Sequence, residues 1–171
     1  MAQALTAPIL LAAAVLCVAG ASKLRSPAAA VRAFATLGLP AHATLVRAFA
    51  AGELVFGAWC AVDPSGAAAA AVACLYTGFA GAAALLAFRQ SSCGCFGDEE
   101  LPASLWQSVL SGMLALAALA AILTPAHGLG WVLGRPALEA GAIAIGTAGA
   151  AYATVLAYTL LPQAWTSWSA S

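Results

Sequence analysis

Apolar residues in this chain gather in five long runs, at about 7–24, 43–62, 67–88, 103–124 and 138–161, and almost every charge falls between the runs. Each run is long enough to cross the hydrocarbon of a bilayer as a helix, which takes about 20 residues. Alanine dominates them, so each is only moderately hydrophobic. Glycine and alanine at small-xxx-small spacing let helix backbones approach closely. Gly141, Ile145 and Gly149 share one face of the fifth run, and only the isoleucine there is large. The pattern predicts an all-α fold, a polytopic transmembrane bundle of about five helices. Residues 1–171 are expected to form one tight membrane domain with no separate soluble part.

The first run, "LLAAAVLCVAGAS", has the apolar core and trailing small residues of a secretion signal. No Lys or Arg precedes it, although the leading segment of a signal needs one. Leu16 stands before Cys17, where a lipoprotein signal would carry a small residue. A retained first helix is the expectation.

The segments between runs carry local signals. In "KLRSPAAAVRAFATLGLP", Ser26 suits an N-cap and Pro27 a first helical position, while Gly38 before Leu39-Pro40 suits a stop. Val31, Phe34 and Leu37, spaced by three, predict a short amphipathic helix at the membrane interface. "DPSG" at 63–66 is a tight turn by composition, which makes the second and third spans antiparallel neighbours. "TPAHGLGWVLGRP" at 124–136 reads as a glycine-rich loop, with Trp131 suited to the interface. Trp165 and Trp168 in the tail suit the same depth.

Charge adds topology and excludes a partner class. Six basic and six acidic residues leave a net charge of zero, so nothing points to nucleic acid. Lys23, Arg25, Arg32, Arg47 and Arg89 fall on the membrane face shared by the 25–42 and 89–102 segments, and only Arg135 falls on the other. The positive-inside rule places the first face in the cytoplasm.

That face carries "SSCGCFGDEE", residues 91–100. Cys93 and Cys95 are two residues apart. In an extended chain their Cα atoms would be roughly 6.6–7.2 Å apart, whereas a disulfide needs about 4.4–6.8 Å. The pair closes only if the chain bends, and Gly94 is the residue best able to bend. A strained, exposed disulfide is labile and exchange-prone. Arg89 and the start of the fourth span favour a thiolate there, and Asp98, Glu99 and Glu100 oppose it. The acids also suit capping of the fourth helix, with Asp98 near its start and Pro102 in its first turn. Two thiolates alternatively suit a soft metal, though a closed zinc site needs four ligands. An inert pair is the third reading. Cys17, Cys60 and Cys74, inside the runs, read as small hydrophobes.

Glu53 sits near the middle of the second run, where an ionisable group is costly and a functional candidate. Arg47 is six positions away on a different face, so Lys23, Arg32 or Arg89 from other segments are the available partners. A structural hydrogen bond and a proton-handling role are equally compatible with it.

These residues resemble the MauE branch of the MauE/DoxX redox-associated membrane proteins. "GASKL" ends the first run, "GLP" precedes the second, "GELVFG" lies within it, and "CGCFG" follows the third. The last is the most specific, and the match spans about the first 110 residues. The resemblance implies an integral protein of a bacterial-type cytoplasmic membrane that works in thiol-disulfide exchange with a thioredoxin-like partner. MauE is linked to maturation of the disulfide-rich small subunit of methylamine dehydrogenase. By that similarity Cys93 and Cys95 form the redox pair, supported by Lys23 and Glu53. The layout is also distantly similar to membrane disulfide-generating enzymes that reduce quinones, but the second, shuttle cysteine pair of those enzymes is missing. No motif marks a cofactor, and a quinone is compatible but unsupported. The family analogy favours an extracytoplasmic thiol loop, against the charge count. A non-catalytic scaffold that assembles a partner enzyme is the main alternative, with soft-metal handling behind it.

Overall fold

The structure, a computed structural model, describes residues 2–94, 96, 103–124 and 126–169, with side chains described from 4 to 160. Those residues form seven helices: α1 (Ala2–Arg25), α2 (Ala28–Leu37), α3 (Ala43–Val62), α4 (Gly66–Phe88), α5 (Leu105–Leu123), α6 (Leu129–Leu133) and α7 (Ala137–Ser169). α1, α3, α4, α5 and α7 are each long and apolar enough to cross a membrane. They coincide with the five expected runs to within a few residues. α7 continues past its apolar stretch to Ser169. The side chains of Trp165 and Trp168 lie outside the described residues.

Small residues let α1 and α3 touch almost backbone to backbone. A Cβ on Gly57 would lie 2.7 Å from Cys17 Sγ and 2.9 Å from the Ala13 carbonyl. One on Gly20 would lie 2.7 Å from the Ala50 carbonyl. Between lipid tails no hydrophobic force drives helices together, so contact of this closeness supplies the association. α1 is also the hub for the other helices. Its Ile9, Val15 and Leu16 are sealed by Val72 and Tyr76 of α4 and by Leu114 and Ala118 of α5. The Tyr76 hydroxyl donates to the Ala12 carbonyl at 2.7 Å, which satisfies a polar group that has no water to turn to.

The close-packing face foreseen on the fifth span is not used. Ile145 is 76% exposed, and a Cβ on Gly141 or Gly149 would meet open space. Small residues permit close approach without compelling it. α7 therefore presents most of its length to lipid.

Between α1 and α3, α2 lies against the bundle. It ends as the sequence suggests: Gly38 is left-handed (φ 79°), its N–H donates to Ala35 O, and Leu39 N–H donates to Phe34 O. This is a Schellman closure. The start is shifted by one residue, with Pro27 rather than Ser26 in the cap position and no side-chain cap. The buried face is Ala29, Ala30 and Ala33, with Phe34 half-buried beside it. Phe34, Phe49, Phe79 and Tyr76 then follow one another edge to face at centroid spacings of 5.8, 6.1 and 5.9 Å. This row of rings ties α2 to α3 and α4.

Three connections refine the sequence expectations. The α3–α4 turn is capped by Ser65, whose Oγ accepts from Ala68 N–H at 3.4 Å. The 125–137 segment is not a plain loop, because it contains α6. Trp131 of α6 stacks on His127 at 4.7 Å, and Arg135 sits 4.0 Å from the same ring. The fourth span begins at Leu105 behind Ser104, whose backbone N–H donates to Gln107 Oε1 at 3.1 Å. Ser104 and Gln107 thus take the cap position foreseen for Asp98 and Pro102, residues that lie outside those described.

The contrast between used and unused glycines is measurable. Gly20→Ala and Gly57→Ala should each destabilise the protein by about 1–3 kcal/mol through overpacking. Gly149→Ala should stay within about 0.5 kcal/mol of the parent. Thermal unfolding in one detergent, with all three variants side by side, checks the order.

Candidate functional site

Lys23 and Glu53 meet across the α1–α3 contact. Lys23 Nζ lies 2.8 Å from both carboxylate oxygens of Glu53. Lys23 is 6% exposed and Glu53 is fully buried. The glycine contacts explain the placement: Gly20 is one turn from Lys23 and Gly57 one turn from Glu53, so the faces that close are the faces that carry the charges. Of the candidate partners for Glu53, the structure selects Lys23. The same ammonium sits 5.2 Å from the centroid of Phe79.

The magnitudes nearly cancel. Each charge costs up to roughly 2.5–3.5 kcal/mol, the value at the centre of a transmembrane helix. Their attraction at this separation is about 6 kcal/mol for an effective dielectric of about 20. The pair fixes register and leaves little net stabilisation, which is the usual result for buried ion pairs.

A loop closes over this end of the bundle. α4 stops with Gln90 in the left-handed region (φ 52°), while Ser91 N–H donates to Leu86 O and Gln90 N–H to Ala87 O. Ser91 O then accepts from Ala103 N–H at 2.8 Å, and Ser91 Oγ lies 3.2 Å from Thr36 Oγ1. Both ends of the loop are thereby pinned, one of them to α2. Arg89 joins the same anchorage. Its guanidinium donates to the Thr36 carbonyl at the end of α2. Arg89 thereby acts as a strut between α4 and α2.

Gly94 holds the loop down. It is buried, has φ 61°, and a Cβ there would lie 2.6 Å from the Ala29 carbonyl carbon and oxygen. Two independent constraints, conformation and space, therefore demand glycine between the cysteines. Cys93 is disulfide-bonded and packs against Ala33, Leu86 and Ala103. Cys17, Cys60 and Cys74 are free. Cys95 lies outside the described residues, as do Asp98, Glu99 and Glu100. Phe96 reaches Tyr158 of α7 at a centroid distance of 5.3 Å.

Beneath the loop lies an apolar cavity of about 70 Å³, and both Cys93 and Lys23 line it. The thiol loop and the ion pair, far apart in sequence, are thus two walls of one space. Sequence reasoning missed the polar groups on its α5–α7 side. Ser111 Oγ and Tyr158 Oη lie 2.8 Å apart, and Gln107 Nε2 donates to the Tyr158 carbonyl at 3.0 Å. A signal was available, since each is a polar side chain inside an apolar run.

Five apolar spans with a disulfide loop set over a buried ion pair define a helical integral membrane protein with a cysteine site at one end. The chain matches the family model of methylamine utilisation protein MauE over residues 1–126, and it belongs to that family. The matched stretch takes in α1 through α5 with Lys23, Glu53, Arg89, Cys93 and Cys95, and α6 and α7 follow it, the latter with the cavity residue Tyr158. Comparison with curated proteins and with solved structures finds no match.

Lys23→Met alone leaves a buried carboxylate unpaired and should cost about 3–5 kcal/mol, whereas Lys23→Met with Glu53→Leu should recover most of that loss. Thermal midpoints of the three purified proteins test this. A double variant no better than the single would show that the ions do more than hold each other.

Proposed function

We propose that this protein is a membrane thiol-disulfide redox protein that exchanges electrons through Cys93 and Cys95 with a thioredoxin-like partner. The observation that carries the reading is the disulfide at Cys93, set in a loop pinned to α2 and α4 with Gly94 wedged on the α2 backbone. A tether of this kind fixes where the sulfur is, and exchange needs in-line access to a sulfur. The other cysteines do not supply a second pair: Cys17 is half-buried in α1, Cys60 is buried in α3, and Cys74 faces outward from α4. Electrons must therefore pass to or from another molecule. Family membership supports a target in methylamine utilisation, namely maturation of a disulfide-rich enzyme of the methylamine dehydrogenase type.

In this reading the protein sits in a bacterial-type cytoplasmic membrane with the loop on the extracytoplasmic face, where disulfides persist. Lys23 belongs to a buried pair and not to a connecting loop. It therefore drops out of the charge count, which then sets Arg25, Arg32, Arg47 and Arg89 against Arg135.

Reduced thioredoxin mixed with the purified protein should lose its thiols as the loop disulfide opens, followed by acid quenching and alkylation. Cys93→Ser should bring that transfer to background. If a Cys93→Ser/Cys95→Ser variant matured the partner enzyme in cells as well as the parent does, the redox reading would fall and an assembly role would stand in its place. Gly94→Ala should loosen the loop from α2, seen as faster alkylation of the reduced thiols. A membrane-impermeant maleimide applied to intact, reductant-treated cells reads the side. Labelling is expected without permeabilisation, and labelling only after it would reverse the orientation and favour a reductive route.

A further inference from the structure

We infer that the cavity under the loop binds the ring of a quinone-type, lipid-soluble two-electron acceptor, which takes the electron pair from the reduced Cys93–Cys95 pair. The inference rests on the redox reading above for its chemistry and on the cavity's lining for its ligand. The lining is almost wholly apolar and aromatic, with Phe34 and Phe79 among its walls, and Cys93 at its edge. Only a few polar groups reach it. Tyr76 is spent, because its hydroxyl donates to Ala12 O. Lys23 is not: an ammonium has three donors, and two go to Glu53. Ser111 and Tyr158 share one hydrogen bond between two hydroxyls, which leaves one O–H proton to give. A water-filled cavity would use these donors poorly, since most of its wall offers waters no partner. A flat ring with two carbonyl oxygens uses both donors and fills the apolar remainder.

Size agrees with one ring and no more. A volume of about 70 Å³, at roughly 10–15 Å³ for each water position, equals about five to seven waters. That many waters occupy roughly 150–210 Å³ as liquid, and a single six-membered aromatic ring needs about 150 Å³. The position agrees as well, because the cavity lies among membrane-spanning helices, where a lipid-soluble acceptor is concentrated.

The step balances. Both S–H bonds break and the S–S bond forms, so the thiols lose two electrons and two protons. The quinone gains them and becomes the quinol, with each carbonyl oxygen turned into a hydroxyl. Lys23 and the Ser111–Tyr158 pair position the two oxygens and offset the charge that builds on them.

The test uses the full-length protein in lipid nanodiscs under anaerobic conditions, with decylubiquinone and duroquinone, both single-ring and fully substituted, as the two probes. Titration into the oxidised protein should quench tyrosine and tryptophan fluorescence saturably with at least one probe. The reduced, desalted protein should then form one quinol per chain as two thiols disappear. Ala82→Phe, which fills the cavity, should weaken binding by about tenfold or more, with helical content checked by circular dichroism. Absence of saturable binding by both probes to the unmodified protein overturns the inference, and so does unchanged binding in a folded Ala82→Phe protein. The two readings separate cleanly. Thioredoxin exchange without quinone binding defeats this inference alone, whereas quinone binding without thioredoxin exchange defeats the thioredoxin partnership and leaves the site.

Discussion

The contact between α1 and α3 is the constraint on which the rest depends. Lys23 and Glu53 can be buried together only if their helices come close enough for an ammonium to reach both carboxylate oxygens at 2.8 Å. Gly20 and Gly57 provide that closeness by omitting a side chain. Once the two helices are locked in this register, the first turns of α3 extend beside α2, and Phe49 lies between Phe34 and Phe79. α2 is thereby fixed in place, and α2 is the surface on which Gly94 rests. A chain of contacts therefore leads from two glycines in the bilayer to the position of a sulfur in a loop.

The energetic roles along that chain differ. The ion pair contributes little net stability, since the cost of burying two charges roughly offsets their attraction. Packing among alanines, glycines and aromatic rings does the holding. What the pair adds is discrimination: any slip of α1 against α3 would strand the Glu53 carboxylate in hydrocarbon, a penalty of several kcal/mol. That makes the register steep even though the helix faces are smooth and alanine-rich, a kind of surface that specifies register weakly by shape alone.

Much of this was legible in the sequence because the bilayer imposes length and hydropathy on each span. The five spans, the Gly38 stop and the tight turn at 63–66 follow from that and from backbone chemistry. Glu53 announced itself by being a carboxylate in an apolar run. Its partner did not, because choosing Lys23 over Arg32 or Arg89 requires knowing which helices touch. The small-residue face on α7 misled for a related reason: spacing shows where helices can approach, and the partner decides whether they do. The cap at Ser104 was hidden by the more conspicuous acids ahead of it. Gln90 in the left-handed region gave no cue, since glycine or asparagine is the usual marker. The two-sided need for glycine at position 94 was half visible. Its bend was expected, and the α2 backbone lying against it was not.

The order of synthesis gives the ion pair one further consequence. Lys23 leaves the ribosome thirty residues ahead of Glu53. At about 5–20 residues per second, that is a wait of roughly 2–6 s. During this interval α1 must lodge in the membrane with an unpaired ammonium, and the charge stands only two residues from the end of the helix, beside Arg25. From there a lysine can extend to the headgroups. The carboxylate, deep in α3, has no such escape. The asymmetry between a terminal lysine and a central glutamate thus leaves one member of the pair with a route to the headgroups before its partner is made, and the other with none.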